Sequence, residues 1–349
     1  CGFVGAWLDK LLPPVVIGTI VIVIGLALAG TAVDMASTTT VEVEKPATVE
    51  EFNALPGTVE GIDEASNTVT LKQYSLKNFS VALATLAIAI IANIFFRGFL
   101  GLIPILIGIV GGYIIGLFTG LVDFTPVREA SWFVLPQFTT PEISWHAAVI
   151  IVPVALVTLA EHIGHLVVTG GIMKRDLMKD PGLHRSILGD GIATSIASLI
   201  GAPPNTTYGE NIGVMAITRI FSVFVIGGAA VFAILFAFIG KLEALIASIP
   251  TPVMGGVSIL LFGIIAAAGL RMLVESQVDF SEKRNLVIAS VILVIGIGGA
   301  ALKFVGINLE IEGMALATFV GIFLNYVLPG KESAGKNSHL DFGGTSKQH

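Results

Sequence analysis

Four residues stand out because their types could do chemistry where such types are rare. Glu161, His162 and His165 lie together in Ala160-Glu161-His162-Ile163-Gly164-His165-Leu166, inside a long apolar run, and Glu210 follows a proline-broken stretch. Ionisable groups at membrane depth are costly and mark binding sites or proton paths by default. Glu161 and His165 are four apart and share one face of a helix, whereas His162 points elsewhere. A carboxylate accepts hydrogen bonds only, and an unperturbed imidazole exchanges a proton near neutral pH. These residues are therefore functional candidates. His162 reads as a helix-packing histidine, and Asp190 as a cap.

Other chemistries fit less well. His162 and His165 are spaced to share a metal, but a catalytic zinc site needs a third ligand and a base. The remaining histidine of that run, His146, sits at the far end of the same helix. Asn205-Thr206-Thr207 and Asn78-Phe79-Ser80 match the glycosylation triplet, yet the first falls at membrane depth and the second abuts a span.

The elements that must position these residues are membrane spans. Of 349 residues, 54% are hydrophobic and only 13% charged, with a mean hydropathy of +0.90. Soluble domains carry about a quarter charged residues, so lipid must cover much of this chain. The single cysteine excludes an internal disulfide and any multi-cysteine metal site. No basic block points to nucleic acid, and no nucleotide-binding motif is present, which leaves an ion gradient as the energy source.

Apolar runs place spans at about Leu12–Val33, Phe79–Phe96, Gly98–Leu121, Trp145–Met173, Phe221–Ile239, Thr251–Leu273, Asn285–Phe304 and Gly313–Leu328. Between the fourth and fifth of these lies a broken one. Ile187–Ile200 is short and helical. Gly201-Ala202-Pro203-Pro204-Asn205-Thr206-Thr207-Tyr208-Gly209 then interrupts it, and helix resumes from Glu210 to Ile217. Counting both halves gives ten crossings. Irregular backbone at membrane depth is tolerated only where protein buries it or a cavity hydrates it, and interrupted helices build substrate sites in many transporters. The acidic stretch Asp34–Asn78 alternates Thr and Val with charges, which predicts short strands in a loop cap. With Lys174, Arg175, Lys179 and Arg185 placed in the cytoplasm, alternation puts thirteen Lys and Arg inside and six outside. That agrees with the positive-inside bias and sets the C-terminus in the cytoplasm.

At these residues a family resemblance appears. The stretch Ala160–Thr169, the stretch Pro204–Val214, Pro252-Val253-Met254-Gly255-Gly256 and Lys179-Asp180-Pro181-Gly182-Leu183-His184-Arg185 resemble signature segments of the nucleobase–cation symporter-2 (nucleobase:ascorbate transporter) family, on its bacterial uracil-transporting branch. The resemblance runs through nearly the whole chain except the Asp34–Asn78 loop and the tail. It implies an all-α polytopic inverted-repeat fold of fourteen spans with a core and a gate domain, and one broken helix carrying a short extended strand. On that frame, residues 1–121 would be gate spans of the first repeat, with the loop at 34–78 extracellular. Residues 145–240 would be core spans of the second repeat carrying the site, 251–330 its gate spans, and 331–349 a cytoplasmic tail. The ten spans would be the fifth to fourteenth. The first four would then precede Cys1, and a chain of this length alone would be unable to transport.

The resemblance implies a substrate site made by Glu161 and Glu210 with backbone at Tyr208 and Gly209, and proton coupling through His165, Glu161 and Glu210. The expected activity is proton-coupled import of uracil by alternating access, across a bacterial cytoplasmic membrane. No enzymatic activity, metal or cofactor is expected, the proton being the coupling ion. The expected partners are uracil, protons and the lipid bilayer, not nucleic acid, and a homodimer is compatible with them. A purine permease for xanthine or urate is the rival within the family. The carboxylate at Glu210 argues for uracil, since the purine branch tends to carry Gln there. A non-transporting membrane scaffold or a metalloenzyme is the rival from another class.

Overall fold

The computed structural model describes residues 13–44, 57–63, 68–135, 138–142, 144–304 and 309–330, and for Glu161, Glu210 and some of their helical neighbours it describes the backbone only. The tail at 331–349 lies outside the described residues. The chain is mostly helical. In order, α1 (Pro14–Ala27) and α2 (Ala29–Ser37) lead into strands β1 (Thr38–Glu44), β2 (Thr58–Asp63) and β3 (Thr68–Tyr74). Helices α3 (Leu76–Phe95), α4 (Pro104–Thr119) and α5 (Thr125–Glu129) precede the long α6 (Trp145–Met173). Then come α7 (Leu183–Leu199), α8 (Gly209–Thr218), α9 (Val223–Phe236), α10 (Gly240–Ala247), α11 (Thr251–Glu275) and α12 (Lys283–Ile297). Strands β4 (Ala301–Phe304) and β5 (Leu309–Glu312) and helix α13 (Gly313–Val327) complete the chain.

Three helical stretches are long and apolar enough to cross a membrane, Pro14–Ser37, Leu76–Phe95 and Thr251–Val274, and three shorter apolar helices accompany them among the described residues. Helix α9 exposes large hydrophobics such as Phe224 at 92%. Apolar surface on this scale belongs against lipid, so the chain is a membrane protein.

Several boundaries move from the expected ones, each for a local reason. The second span starts at Leu76 rather than Phe79, because the Ser75 side chain accepts from the Asn78 N–H at 3.3 Å and caps it. The third starts at Pro104, after a 3-10 turn at Gly98–Leu102 with Gly98 at φ 63°. The ninth ends at Ile297 instead of continuing to Phe304. Gly298 and Gly299 (φ 63°) end the helix, and Ala301–Phe304 pairs antiparallel with Leu309–Glu312. The loop cap forms as expected, in the order β1-β3-β2 with both pairings antiparallel. The pairing of β4 with β5 is the element the all-α expectation did not include. At Thr206–Tyr208 the expected short strand is not paired with any described strand. Tyr208 has extended dihedrals (φ −108°, ψ 125°), but a strand needs a hydrogen-bonding neighbour.

The described residues form two compact units. One takes the described residues within 1–27, 137–222 and 263–349, and the other those within 28–136 and 223–262. The first has a core of Val15, Val16, Ile20 and Val23 on α1 with Ile288 and Ile292 on α12 and Ala317 on α13. Glycines let these helices close up: a Cβ on Gly296 would lie 2.4 Å from Val23 Cγ1, and one on Gly321 2.6 Å from Ile292 Cδ1. Ile163 of α6 packs against this core, which anchors the helix that carries the candidate residues. In the second unit a Cβ on Gly256 of α11 would lie 2.3 Å from the Ala82 carbonyl oxygen of α3, so those backbones touch. Thr19, Thr85 and Thr318 are buried and return their hydroxyls to the carbonyls four residues back, so no helix polar group is orphaned there.

Candidate functional site

Helix α6 begins where the Ser144 side chain accepts from the Ala147 N–H at 3.3 Å, and ends where Lys174 turns left-handed at φ 53°. The bounds match the expected span. Glu161, His162 and His165 fall in its second half. The interrupted segment is also as expected: α7 stops at Leu199, no regular structure covers 202–208, and α8 restarts at Gly209.

The break has identifiable causes. Gly201 adopts φ 83°, and a Cβ there would meet Thr139 Oγ1 at 2.0 Å, so only glycine fits. Pro203 and Pro204 supply no N–H to continue a helix. The Asn205 N–H donates to Thr194 Oγ1 at 3.3 Å, which holds the break against α7.

Two hydrogen bonds tie α6 to this region. His165 Nδ1 and Thr207 Oγ1 are 2.9 Å apart, so the coupling residue expected from sequence is joined to the broken segment itself. His165 also has its carbonyl oxygen bonded by the Thr169 hydroxyl at 2.7 Å. His162, 5% exposed, faces another way: its Nε2 lies 2.7 Å from Ser186 Oγ on α7. The different-face reading of the two histidines, and the packing role of His162, agree with this placement. The His162 Nδ1 atom is buried and has no hydrogen-bond partner among the described residues.

The remaining expected residues are placed by backbone. Glu161 lies one turn before His165 on α6. Gly209 and Glu210 open α8, where the first N–H groups of a helix lack intrahelical acceptors and the dipole end is positive. Tyr208 precedes them and is 63% exposed. Thr207 is a contact that sequence reasoning missed; its one signal is a hydroxyl in a proline-broken segment, within the Pro204–Val214 stretch. Among the described residues, no three or more His, Cys, Asp or Glu come together as a metal cluster.

Comparison with known proteins shows the family. A family model described as "Permease family" (Xan_ur_permease) matches residues 1–62 and 57–304. The uracil permease of Bacillus caldolyticus is 55% identical over 337 residues, covering 95% of this chain and 71% of that protein. The uracil permease of Bacillus subtilis strain 168 is 53% identical over 349 residues, covering 98% and 73%. That of Escherichia coli K12 is 49% identical over 321 residues, covering 92% and 68%. With a family match over most of its length and relatives at this identity, the chain belongs to the Xan_ur_permease family of permeases.

Proposed function

We propose that this chain carries uracil across the bacterial cytoplasmic membrane as a proton-coupled symporter working by alternating access. The observation that carries the reading is the His165–Thr207 hydrogen bond. It joins the helix bearing Glu161 to the segment that delivers Tyr208, Gly209 and Glu210. The uracil permease names of the relatives support the same substrate.

Uracil is planar and neutral, with two N–H donors and two carbonyl acceptors. On this reading Glu161 and Glu210 accept from the N–H groups, and backbone N–H groups at the start of α8 donate to a carbonyl. The carboxyl groups and His165 take up the proton that travels with the substrate, so the site crosses the membrane with its charge compensated. The ten crossings, the inverted repeat, the core spans at 145–240, the gate spans at 1–121 and 251–330, and the cytoplasmic tail belong to the same proposal. So does the inward placement of thirteen Lys and Arg.

The test is uptake of radiolabelled uracil by cells that express the gene and lack their own uracil uptake. Uracil should accumulate, xanthine should compete poorly, and an uncoupler should collapse the gradient. Strong xanthine uptake without uracil uptake would move the chain to the purine branch. Glu161→Gln and Glu210→Gln each replace an acceptor with an amide that presents donors to the substrate N–H groups. Each should cost about 1.5–3 kcal/mol of binding, roughly ten- to 150-fold. Near-normal calorimetric affinity in both variants would remove these residues from the site.

A further inference from the structure

The second compact unit holds a cavity of about 620 Å³ that includes none of the residues assigned to the site above. Its walls combine the end of α2, the strands of the loop cap, the turn after α4 and the turn that leads into α11. The chemistry of its lining is specific. Lys72 Nζ on β3 donates to Asp34 Oδ2 on α2 at 3.1 Å, with side chains 27% and 56% exposed. This pair sets a donor group and an acceptor group side by side in the cavity wall.

A third charged group, Asp123, also lines the space. One of its oxygens accepts from the Thr125 N–H at 2.8 Å, and that bond, with a second from the Thr125 side chain, holds its carboxyl below the usual carboxylate range. It thus remains an ionised acceptor, with lone pairs beyond the one that Thr125 uses. Met35, Leu121 and Pro250 supply apolar surface between these polar groups.

An adjacent donor and acceptor complement the edge of a cyclic amide, in which a carbonyl oxygen and an N–H project side by side. A second carboxylate suits a second N–H on the same ring, and apolar walls suit the faces of a flat ring. We propose that this cavity is a second, weaker binding subsite for a neutral planar cyclic amide, the pyrimidinedione itself. Lys72 donates to a ring carbonyl, and Asp34 accepts from the neighbouring N–H. The ligand's identity rests on the uracil reading above; the subsite's geometry does not.

The experiment uses the purified gene product and uracil as the probe, with equilibrium binding measured over a wide concentration range. Wild-type protein should show a tight and a weak component. The Glu161→Gln/Glu210→Gln double variant should lose the tight one and keep the weak one. Adding Asp34→Asn or Lys72→Met should weaken the residual component about tenfold or more, as expected for loss of a hydrogen bond to a charged group. The exchanged pair Asp34→Lys/Lys72→Asp retains an adjacent donor and acceptor, and should recover binding that either single change loses; this separates the proposal from simple misfolding of the cap. A single class of sites in the wild type, or residual binding indifferent to Asp34 and Lys72, overturns the subsite. Absence of any uracil uptake by the wild type instead overturns the function on which the ligand's identity rests.

Discussion

The contact between His165 and Thr207 offers the sharpest test of the proposed proton coupling. Thr207→Val keeps the side-chain shape and removes only the hydroxyl that lies 2.9 Å from His165 Nδ1. A partly buried neutral hydrogen bond contributes about 0.5–1.5 kcal/mol, or roughly two- to 13-fold in an equilibrium. The two residues are in contact, so their effects should not add. A cycle of Thr207→Val, His165→Ala and the double variant should show a coupling energy of about that size in proton-driven uptake. Thr207→Ser, which restores a hydroxyl, should behave nearly as wild type. His165→Ala should depress uptake far more than equilibrium uracil binding and should alter the pH dependence of uptake. His162→Ala should affect both less, because His162 is spent on Ser186 of α7. Membrane levels are matched by immunoblot, and binding is measured by calorimetry on the same preparations. Strict additivity in the cycle would show that the bond carries no functional coupling. An intact pH profile in His165→Ala, with loss of it in His162→Ala, would mean that the wrong histidine has been given the proton.

Two further expectations concern stability. Gly256→Ala places a methyl group 2.3 Å from the Ala82 carbonyl oxygen, so α3 and α11 must part, at about 1–3 kcal/mol. Gly263→Ala, where nothing lies within 4 Å, should be nearly neutral, and equal melting temperatures of the two variants in detergent would refute the close backbone approach. Asp123 has its carboxyl lowered by the Thr125 N–H, then by the Thr125 side chain. A lowered folded-state value means that the ionised form favours the fold. Its contribution is therefore present above the ordinary carboxylate range and disappears as pH falls through the lowered value. Asp123→Asn should flatten the acid limb of the thermal-stability profile, and coincident profiles for variant and wild type would contradict this.

Much of the fold was legible in one dimension because membrane crossing imposes a strong local rule. A run such as Trp145–Met173 must satisfy its own backbone hydrogen bonds and present apolar side chains, so composition alone bounded α6. The break between α7 and α8 was legible for the complementary reason, since Pro203 and Pro204 cannot donate and Gly201 permits a dihedral that other residues resist. Thr–Val alternation between Asp34 and Asn78 likewise announced strands β1 and β3.

What sequence could not decide were the contacts between distant segments, because they depend on which helix faces meet. Spacing put Glu161 and His165 on one face, and only the tertiary structure brought Thr207, 42 residues away, to His165 Nδ1. Helical phase separated the two histidines, but the fold decided that His162 meets Ser186. The Asp34–Lys72 pair, 38 residues apart, depends on strand β3 running beside β1, and the cavity it lines draws on four separate stretches of chain. The β4–β5 hairpin was hidden inside an apolar run for a related reason. Ala301–Phe304 is hydrophobic enough to continue a helix, and its strand pairing with Leu309–Glu312 is a non-local choice made possible by the left-handed turn at Gly299.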